Sequence, residues 1–428
     1  MTRLSPLPET DHACPHCRSA LVTMGWLVPG MRCLADLRCE RCGRTFYGDL
    51  PSGQALYTPM LLEQGTGEVH GAGAGWFADW LRDSYAGRTD VPVPFRVRDL
   101  APVEGRSGAV LLNCLDTLYG HSLLKLLNAQ HYLDHCPDLA VVVVIPAFLE
   151  WLVPAGVAQA WVVDLPLRRG TEWNDGLARE IRRRAEALPG DLHLSLAFSH
   201  PHPDDVEIER FTRVPPFPLA DWEGRLSRPT VTFVWRDDRV WPGEEETSPR
   251  LVRGVRRRLG LPPASGAEGQ RRAVVATAEA LRETQPALDF AVVGLGTPGG
   301  FPDWILDLRE PAPDEAAERR WCGRYAASHV VAGVHGSNML LPSAHAGGVV
   351  ELIGEDRAGN VFQDLLVRGA DVREALFRYR LVPLATAPAG LARAVGLLLG
   401  GYPDFQRLMG PAFTGHGETS DTSRWRMR

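Results

Sequence analysis

An α/β protein with two Rossmann-like domains behind a small N-terminal ribbon is the fold this sequence predicts, and three observations predict it. Two C-x-x-C pairs stand close to the N-terminus. Behind them, runs of consecutive aliphatic residues alternate with segments of helical period, the pattern of parallel strands covered on both faces. That rhythm breaks over the proline-bearing stretch Ser199–Pro229 and then restarts, which divides the α/β part in two. A chain of 428 residues is long enough for this arrangement, and 45% hydrophobic with 23% charged residues is ordinary globular composition.

Residues 1–50 are expected to form the ribbon. Cys14-Pro15-His16-Cys17 and Cys39-Glu40-Arg41-Cys42 are two knuckles, each turning a pair of thiolates toward one centre. Their separation is that of a four-thiolate zinc site, with a hairpin between them formed by Ala20–Trp26 and Met31–Arg38 around Pro29-Gly30. Four protein ligands close the coordination sphere, so the expected zinc is structural. Cys33 lies between the knuckles without a partner, and His16 inside the first is expected to face solvent. Cys114, Cys136 and Cys322 fall in apolar segments and read as buried free thiols, which fits a reducing compartment.

Residues 51–105, rich in Gly and Pro, are expected to be a connector holding one short helix, Gly75–Ser84. The first α/β domain is assigned to 106–228, with strands at Ala109–Leu115, Leu139–Ile145, Ala160–Val163 and Leu192–Phe198. Between them come helical segments at Ser122–Cys136, Phe148–Val153 and Asn174–Leu188. The second is assigned to 229–411, with strands at Thr230–Trp235, Phe290–Gly294, Val330–Val334 and Val349–Ile353. Its expected helices are Arg250–Gly260, Arg271–Thr284, Asp303–Leu308, Glu315–Ala327 and Asn338–Ala346, closed by two short stretches, Leu391–Leu399 and Pro403–Met409. The polar end, 412–428, is expected to be a disordered tail.

Bulk chemistry excludes several function classes. A net charge of −6 and a pI near 6.1 offer no basic field for nucleic acid or anionic membrane, and the ribbon's arginines are interleaved with Asp36, Glu40 and Asp49. Met1–His12 has no leader-like apolar core, and no run of eighteen apolar residues follows, so the expectation is a cytoplasmic protein without a membrane span. Lys125 is the one lysine of the chain, and its setting in an apolar helical segment disfavours both a P-loop and a lysine Schiff base. Gly294-x-Gly296-x-x-Gly299 follows a strand and spells a dinucleotide fingerprint, but Pro298 interrupts it and Gly300-Phe301-Pro302 stands where a helix should start. That loop is expected to line a nucleotide cleft instead.

The densest chemistry lies in Val330–Ile353. An aliphatic strand ends in His335-Gly336-Ser337-Asn338 at an expected helix start, where backbone N–H groups suit a diphosphate and His335 can donate to it. Glu351 sits in the next buried strand and must be paired there; a ribose or sugar hydroxyl would be one partner, Arg357 another. Arg236 and Arg239 follow the strand Val231–Trp235 and can neutralise a departing diphosphate. The adjacent Asp237 and Asp238 alternate in direction and read as loop charges. In the first domain, His121 at a helix start and Asp116 in the same loop are the candidate bases for an acceptor hydroxyl.

The strand, the His335-Gly336 turn and the Val349–Leu352 strand together resemble the signature of glycosyltransferase family 61, and Arg236 with Arg239 matches an arginine pair common in that family. The resemblance covers the C-terminal half, and the ribbon lies outside it. Ser337-Asn338-Met339-Leu340 departs from the family's usual residues after His-Gly. The resemblance implies a GT-B arrangement and metal-independent, inverting transfer from a nucleotide-sugar donor to an acceptor such as a glycan, protein or small molecule. It would place the donor against Arg236, Arg239, Gly294, Gly296, His335, Gly336, Ser337, Asn338 and Glu351, with His121 or Asp116 facing it from the acceptor side. Two rivals share parts of this pattern. A nucleotide-sugar epimerase would bind the same donor and transfer nothing; a zinc-ribbon interaction protein would bind a macromolecule and turn over no donor.

Overall fold

The computed structural model describes residues 1–5, 7–51, 60–71, 75–195, 206–242, 266–361, 366–367 and 372–414. The chain forms two compact units, Met1–Phe211 and Thr212–Arg428, and the break falls inside the proline-bearing stretch. The expected helix Arg250–Gly260 and residues 415–428 of the expected disordered tail lie outside the described residues, and the first three residues of that tail, 412–414, are instead the end of a helix.

The first unit opens with β1 (Thr2–Arg3). The ribbon follows as β2 (Leu21–Leu27), β3 (Leu34–Cys39) and β4 (Thr45–Asp49), paired antiparallel. Among the described residues this sheet has five strands, because β5 (Leu61–Glu63) and β6 (Val69–His70) continue the meander. Next come β7 (Phe95–Asp99), β8 (Gly108–Asn113), β9 (Leu139–Pro146), β10 (Gln159–Val163) and β11 (Asp191–Leu194). They form a second sheet in the order β1-β11-β8-β9-β10-β7, with a parallel centre and an antiparallel strand at each edge. Residues 51–105 therefore do more than connect: β5 and β6 extend the ribbon and β7 closes a sheet edge. The helix Gly75–Ala86 packs Phe77 and Leu81 on Leu34, Leu62 and Trp173. Phe95, Val97 and Val103 in this stretch carry the signal, for they pack on the core that the parallel strands build.

The ribbon and the parallel sheet share that core. Trp26, Ala35, Leu37 and Phe46 from one sheet cluster with Ala109, Leu111, Val142 and Trp161 from the other. The strands β8 and β9 are buried along nearly their whole length, which is why they read as unbroken aliphatic runs.

The second unit is one sheet of β12 (Thr230–Trp235), β13 (Asp289–Leu295), β14 (Ile305–Glu310), β15 (Val330–Val334), β16 (Gly348–Ile353) and β17 (Tyr379–Pro383). Its order is β14-β13-β12-β15-β16-β17 and every pairing is parallel. The chain leaves the central β12 toward β14, then returns to build β15, β16 and β17 on the other side. The crevice between β12 and β15 is thus a topological switch point. Asp303–Leu308, expected to be helical, is instead the edge strand β14; six residues are too few to separate the two periods, and pairing with β13 decides. The two expected C-terminal stretches are one helix, Pro388–Thr414. Pro403 within it cannot donate to the Leu399 carbonyl, and Trp222 Nε1 takes that carbonyl at 3.1 Å.

Candidate functional site

Two loops meet at the switch point of the second unit. Arg236 and Arg239 leave the end of β12, and His335-Gly336-Ser337-Asn338 leaves the end of its neighbour β15. Arg236 Nη1 donates to Asn338 Oδ1 at 2.8 Å, and Arg239 Nη1 donates to the His335 carbonyl at 2.8 Å. Gly336 has φ +147°, and a Cβ there would stand 2.7 Å from Arg236 Nη1 and 3.0 Å from Arg239 Nη1. Glycine is what lets both guanidiniums lie on the turn. Burial, then Arg236 and Arg357, lower the pKa of Arg239: three cations converge on one place, a strain that an anion relieves. Asp238 takes part of that charge, donated to by Arg236 Nε at 2.7 Å, and Asp237 accepts from Trp235 Nε1 at 2.7 Å, so both aspartates are loop charges. Asn338 Nδ2 is buried without a hydrogen-bond partner among the described residues, a donor left over beside the arginines.

The turn differs from its expectation in one respect. Ser337–Met339 is a 3-10 turn and the helix after it, Leu340–His345, has six residues. The Met339 N–H bonds to the Gly336 carbonyl, so fewer backbone donors face outward than a long helix would offer. The positive charge comes from the arginine pair instead.

Two expected ligand contacts become supports. Glu351 is fully buried in β16 and its Oε2 lies 2.5 Å from His335 Nδ1. His335 is itself 2% exposed, so its ring backs the turn from below rather than reaching a phosphate. The cause is register: β15 pairs with β16 so that Gly333 stands opposite Glu351, which brings the carboxylate up under the start of the turn.

Beside the arginines lies a cleft of about 520 Å³ lined by Trp235, Asp237, Arg271, Arg309 and the loop Thr297–Gly300. This volume is in the range of small-ligand pockets. The loop lines this cleft, whereas Gly294 and Gly296 are not among its lining residues. A Cβ on Gly294, at φ +133°, would fall 2.2 Å from the Trp235 carbonyl, and one on Gly296 would fall 2.9 Å from the Trp235 ring. These two glycines let β13 close on β12 and leave room for the loop.

The candidate base lies in the first unit, after β8. Asp116 is buried, with Lys125 Nζ 2.6 Å from Oδ2 and His121 Nδ1 3.3 Å from Oδ1. Burial raises the Asp116 pKa, but the Lys125 ammonium and His121 outweigh it and hold the carboxyl well below the usual range. Lys125 is fully buried and also donates to the Leu115 carbonyl at 2.9 Å. Sequence reasoning missed Lys125 as a partner; its spacing of four residues from His121 on one helix was the available signal. A carboxylate so stabilised is a poor base, which leaves it the task of orienting the half-buried His121.

The four cysteines Cys14, Cys17, Cys39 and Cys42 come together as a cluster able to hold a metal ion. Cys14 Sγ and Cys42 Sγ are 3.6 Å apart, and Cys17 Sγ and Cys39 Sγ are 3.4 Å apart. Hydrogen bonds from Ser19 bring the Cys17 thiol down to about 6. At Cys42 the Arg44 backbone lowers the value, but burial and the neighbouring sulfurs carry it up to about 11. Four like charges resist ionising together, and a dication removes that resistance. Cys33 stays outside the cluster, taking a contact from Asn113 Nδ2 at 3.5 Å. No disulfide joins any of the eight cysteines, all of which lie among the described residues.

No model of a known protein family matches the chain, and no curated protein matches it. Solved structures similar to it include the ADP-heptose LPS heptosyltransferase II of Escherichia coli, at TM-score 0.36 and 11% identity, over 69% of this chain and 99% of that one. Another is a putative UDP-N-acetylglucosamine 2-epimerase from Listeria monocytogenes, at TM-score 0.29 and 10% identity, over 73% of this chain and 76% of that one. In the described residues no helix is long and apolar enough to cross a membrane.

Proposed function

We propose that this protein is a glycosyltransferase of GT-B type that moves a sugar from a nucleotide-sugar donor to an acceptor hydroxyl. The observation that carries the reading is the convergence of Arg236 and Arg239 on the Gly336 backbone at a topological switch point. A diphosphate is the ligand that suits two forked guanidiniums and a leftover amide donor, and the adjoining cleft has room for the nucleoside. In the transfer step the acceptor oxygen attacks the anomeric carbon and the bond to the diphosphate breaks. Arg236 and Arg239 stabilise the charge that builds on the leaving group. For the hydroxyl proton the first unit offers its own candidate acceptor, His121, with Asp116 holding the ring through Nδ1. Displacement by a hydroxyl from the opposite face inverts the anomeric centre, and no metal is needed where arginines carry the charge. The cysteine cluster holds a structural zinc, and the free thiols fit a reducing, cytoplasmic setting.

The test is a thermal-shift screen against nucleoside diphosphates and nucleotide sugars. A ligand at a hundred times its Kd should stabilise the protein by about 2.7 kcal/mol. Arg236→Ala and Arg239→Ala should each abolish the shift. With a turned-over donor in hand, His121→Gln should lower kcat by roughly a factor of 10² to 10⁴ while leaving the shift in place. A screen in which every nucleotide leaves the midpoint unmoved overturns the reading.

A further inference from the structure

His16 is exposed, as its place in the first knuckle leads one to expect, and on its inner side it also meets a second group of ligating side chains. It sits in the first knuckle, so the turn that gathers Cys14 and Cys17 also presents its imidazole. The hairpin of β5 and β6 brings Glu63 and His70 beneath it. Glu63 Oε2 lies 3.0 Å from His16 Nε2 and 3.4 Å from His70 Nε2, and the three atoms all lie within 4.8 Å of one another. Ligand atoms around a tetrahedral zinc, at about 2.0–2.2 Å from the ion, stand roughly 3.3–3.6 Å apart. From these residues we infer a second zinc site, His16 Nε2, Glu63 Oε2 and His70 Nε2, distinct from the four cysteines.

The surroundings support a cation. His70 Nε2 is buried without a hydrogen-bond partner, although a carboxylate oxygen lies 3.4 Å away. Glu68 Oε1 lies 3.9 Å from His70 Nδ1, beyond hydrogen-bond distance, and adds a second negative charge near the ring. With its proton on Nδ1, a neutral His70 would turn the Nε2 lone pair toward the Glu63 oxygen 3.4 Å away, and a metal ion between them would bind both. Arg44 engages the other oxygen of Glu63, leaving Oε2 as a one-oxygen ligand oriented from outside. The rings of His16 and His70 meet edge to face at 5.4 Å between centroids. His16 retains 34% side-chain exposure, so a fourth position stays open to water. Two histidines and a glutamate with an open position is a donor set that zinc accepts readily.

The test uses the full chain, stripped of metal by a chelator and titrated with Co²⁺, then with Zn²⁺ for elemental analysis. The first equivalent of Co²⁺ should saturate the intense thiolate-to-metal band of the cysteine cluster. A second should bind without adding to it and should shift the imidazole resonances of His16 and His70. Zinc-loaded wild type should retain two ions per chain, and His70→Gln and Glu63→Gln one each with the thiolate band intact. Wild type that holds a single ion overturns the inference. So does a second ion that survives in both variants, or one that binds without moving the His16 and His70 resonances.

Discussion

At the scale of single residues, burial decides which polar groups act and which support. Glu351 and His335 look alike as ligand contacts in a sequence, but both are inside the second unit and serve each other. Arg236, Arg239 and Asn338 stand on loops past the strand ends and are only partly buried. His345 shows the same principle acting on stability. Its Nδ1 bonds to the Leu341 carbonyl at 2.8 Å and its Nε2 to Thr212 Oγ1 at 2.9 Å, an arrangement that fits the neutral ring. Burial lowers its pKa from 6.5 to about 4, and the same cause takes His329 to about 4. Between those values the unfolded chain binds the extra protons. Stability is therefore whole above pH 6.5 and falls as the pH drops toward 4, by roughly 3 kcal/mol for His345. Urea unfolding at pH 7, 5.5 and 4.5 checks this, and His345→Gln should flatten the slope; a midpoint independent of pH in that window would refute it.

At the scale of elements, the parallel strands follow directly from their aliphatic runs, and the exceptions have local causes. The edge strand β14 has partly exposed residues and a mixed pattern, so only its neighbour determines its conformation. The helix Pro388–Thr414 runs on through Pro403 because Trp222, distant in sequence, satisfies the Leu399 carbonyl. Trp222→Phe should cost about 1–3 kcal/mol by leaving that carbonyl bare. Pro403→Ala restores a helical N–H there, so the indole deletion should cost measurably less in its presence. Urea unfolding of the two single variants and the double variant gives the coupling; additive costs would show that the indole bond does not replace the missing N–H.

At the scale of the whole molecule, the ribbon is part of the first unit's core rather than an appended module. Removing its metal should accordingly weaken Met1–Phe211 and leave Thr212–Arg428 unaffected. A loss of about 3 kcal/mol would lower the melting midpoint of a unit this size by about 6–12 °C. Calorimetry with and without chelator should show one transition moving and another fixed. A ribbon that unfolds alone, with both main transitions unchanged, would contradict the shared core.

Spacing and composition by themselves determined the cysteine cluster, the alternating α/β order and the turn at His335–Asn338, because each is set by local chemistry: knuckle geometry, strand burial and loop residues. They also placed Arg236 and Arg239 on a loop after a strand. Only the tertiary structure decided that this loop lies beside the His335 turn, since the crossing from β14 back to β15 is what makes β12 and β15 neighbours. It alone drew Leu61–Glu63, Val69–His70 and Phe95–Asp99 out of the expected connector into sheets, paired Lys125 with Asp116, and gathered His16, Glu63 and His70. Those contacts join residues whose partners lie on other elements, and a periodicity read along one segment holds no information about what packs across from it.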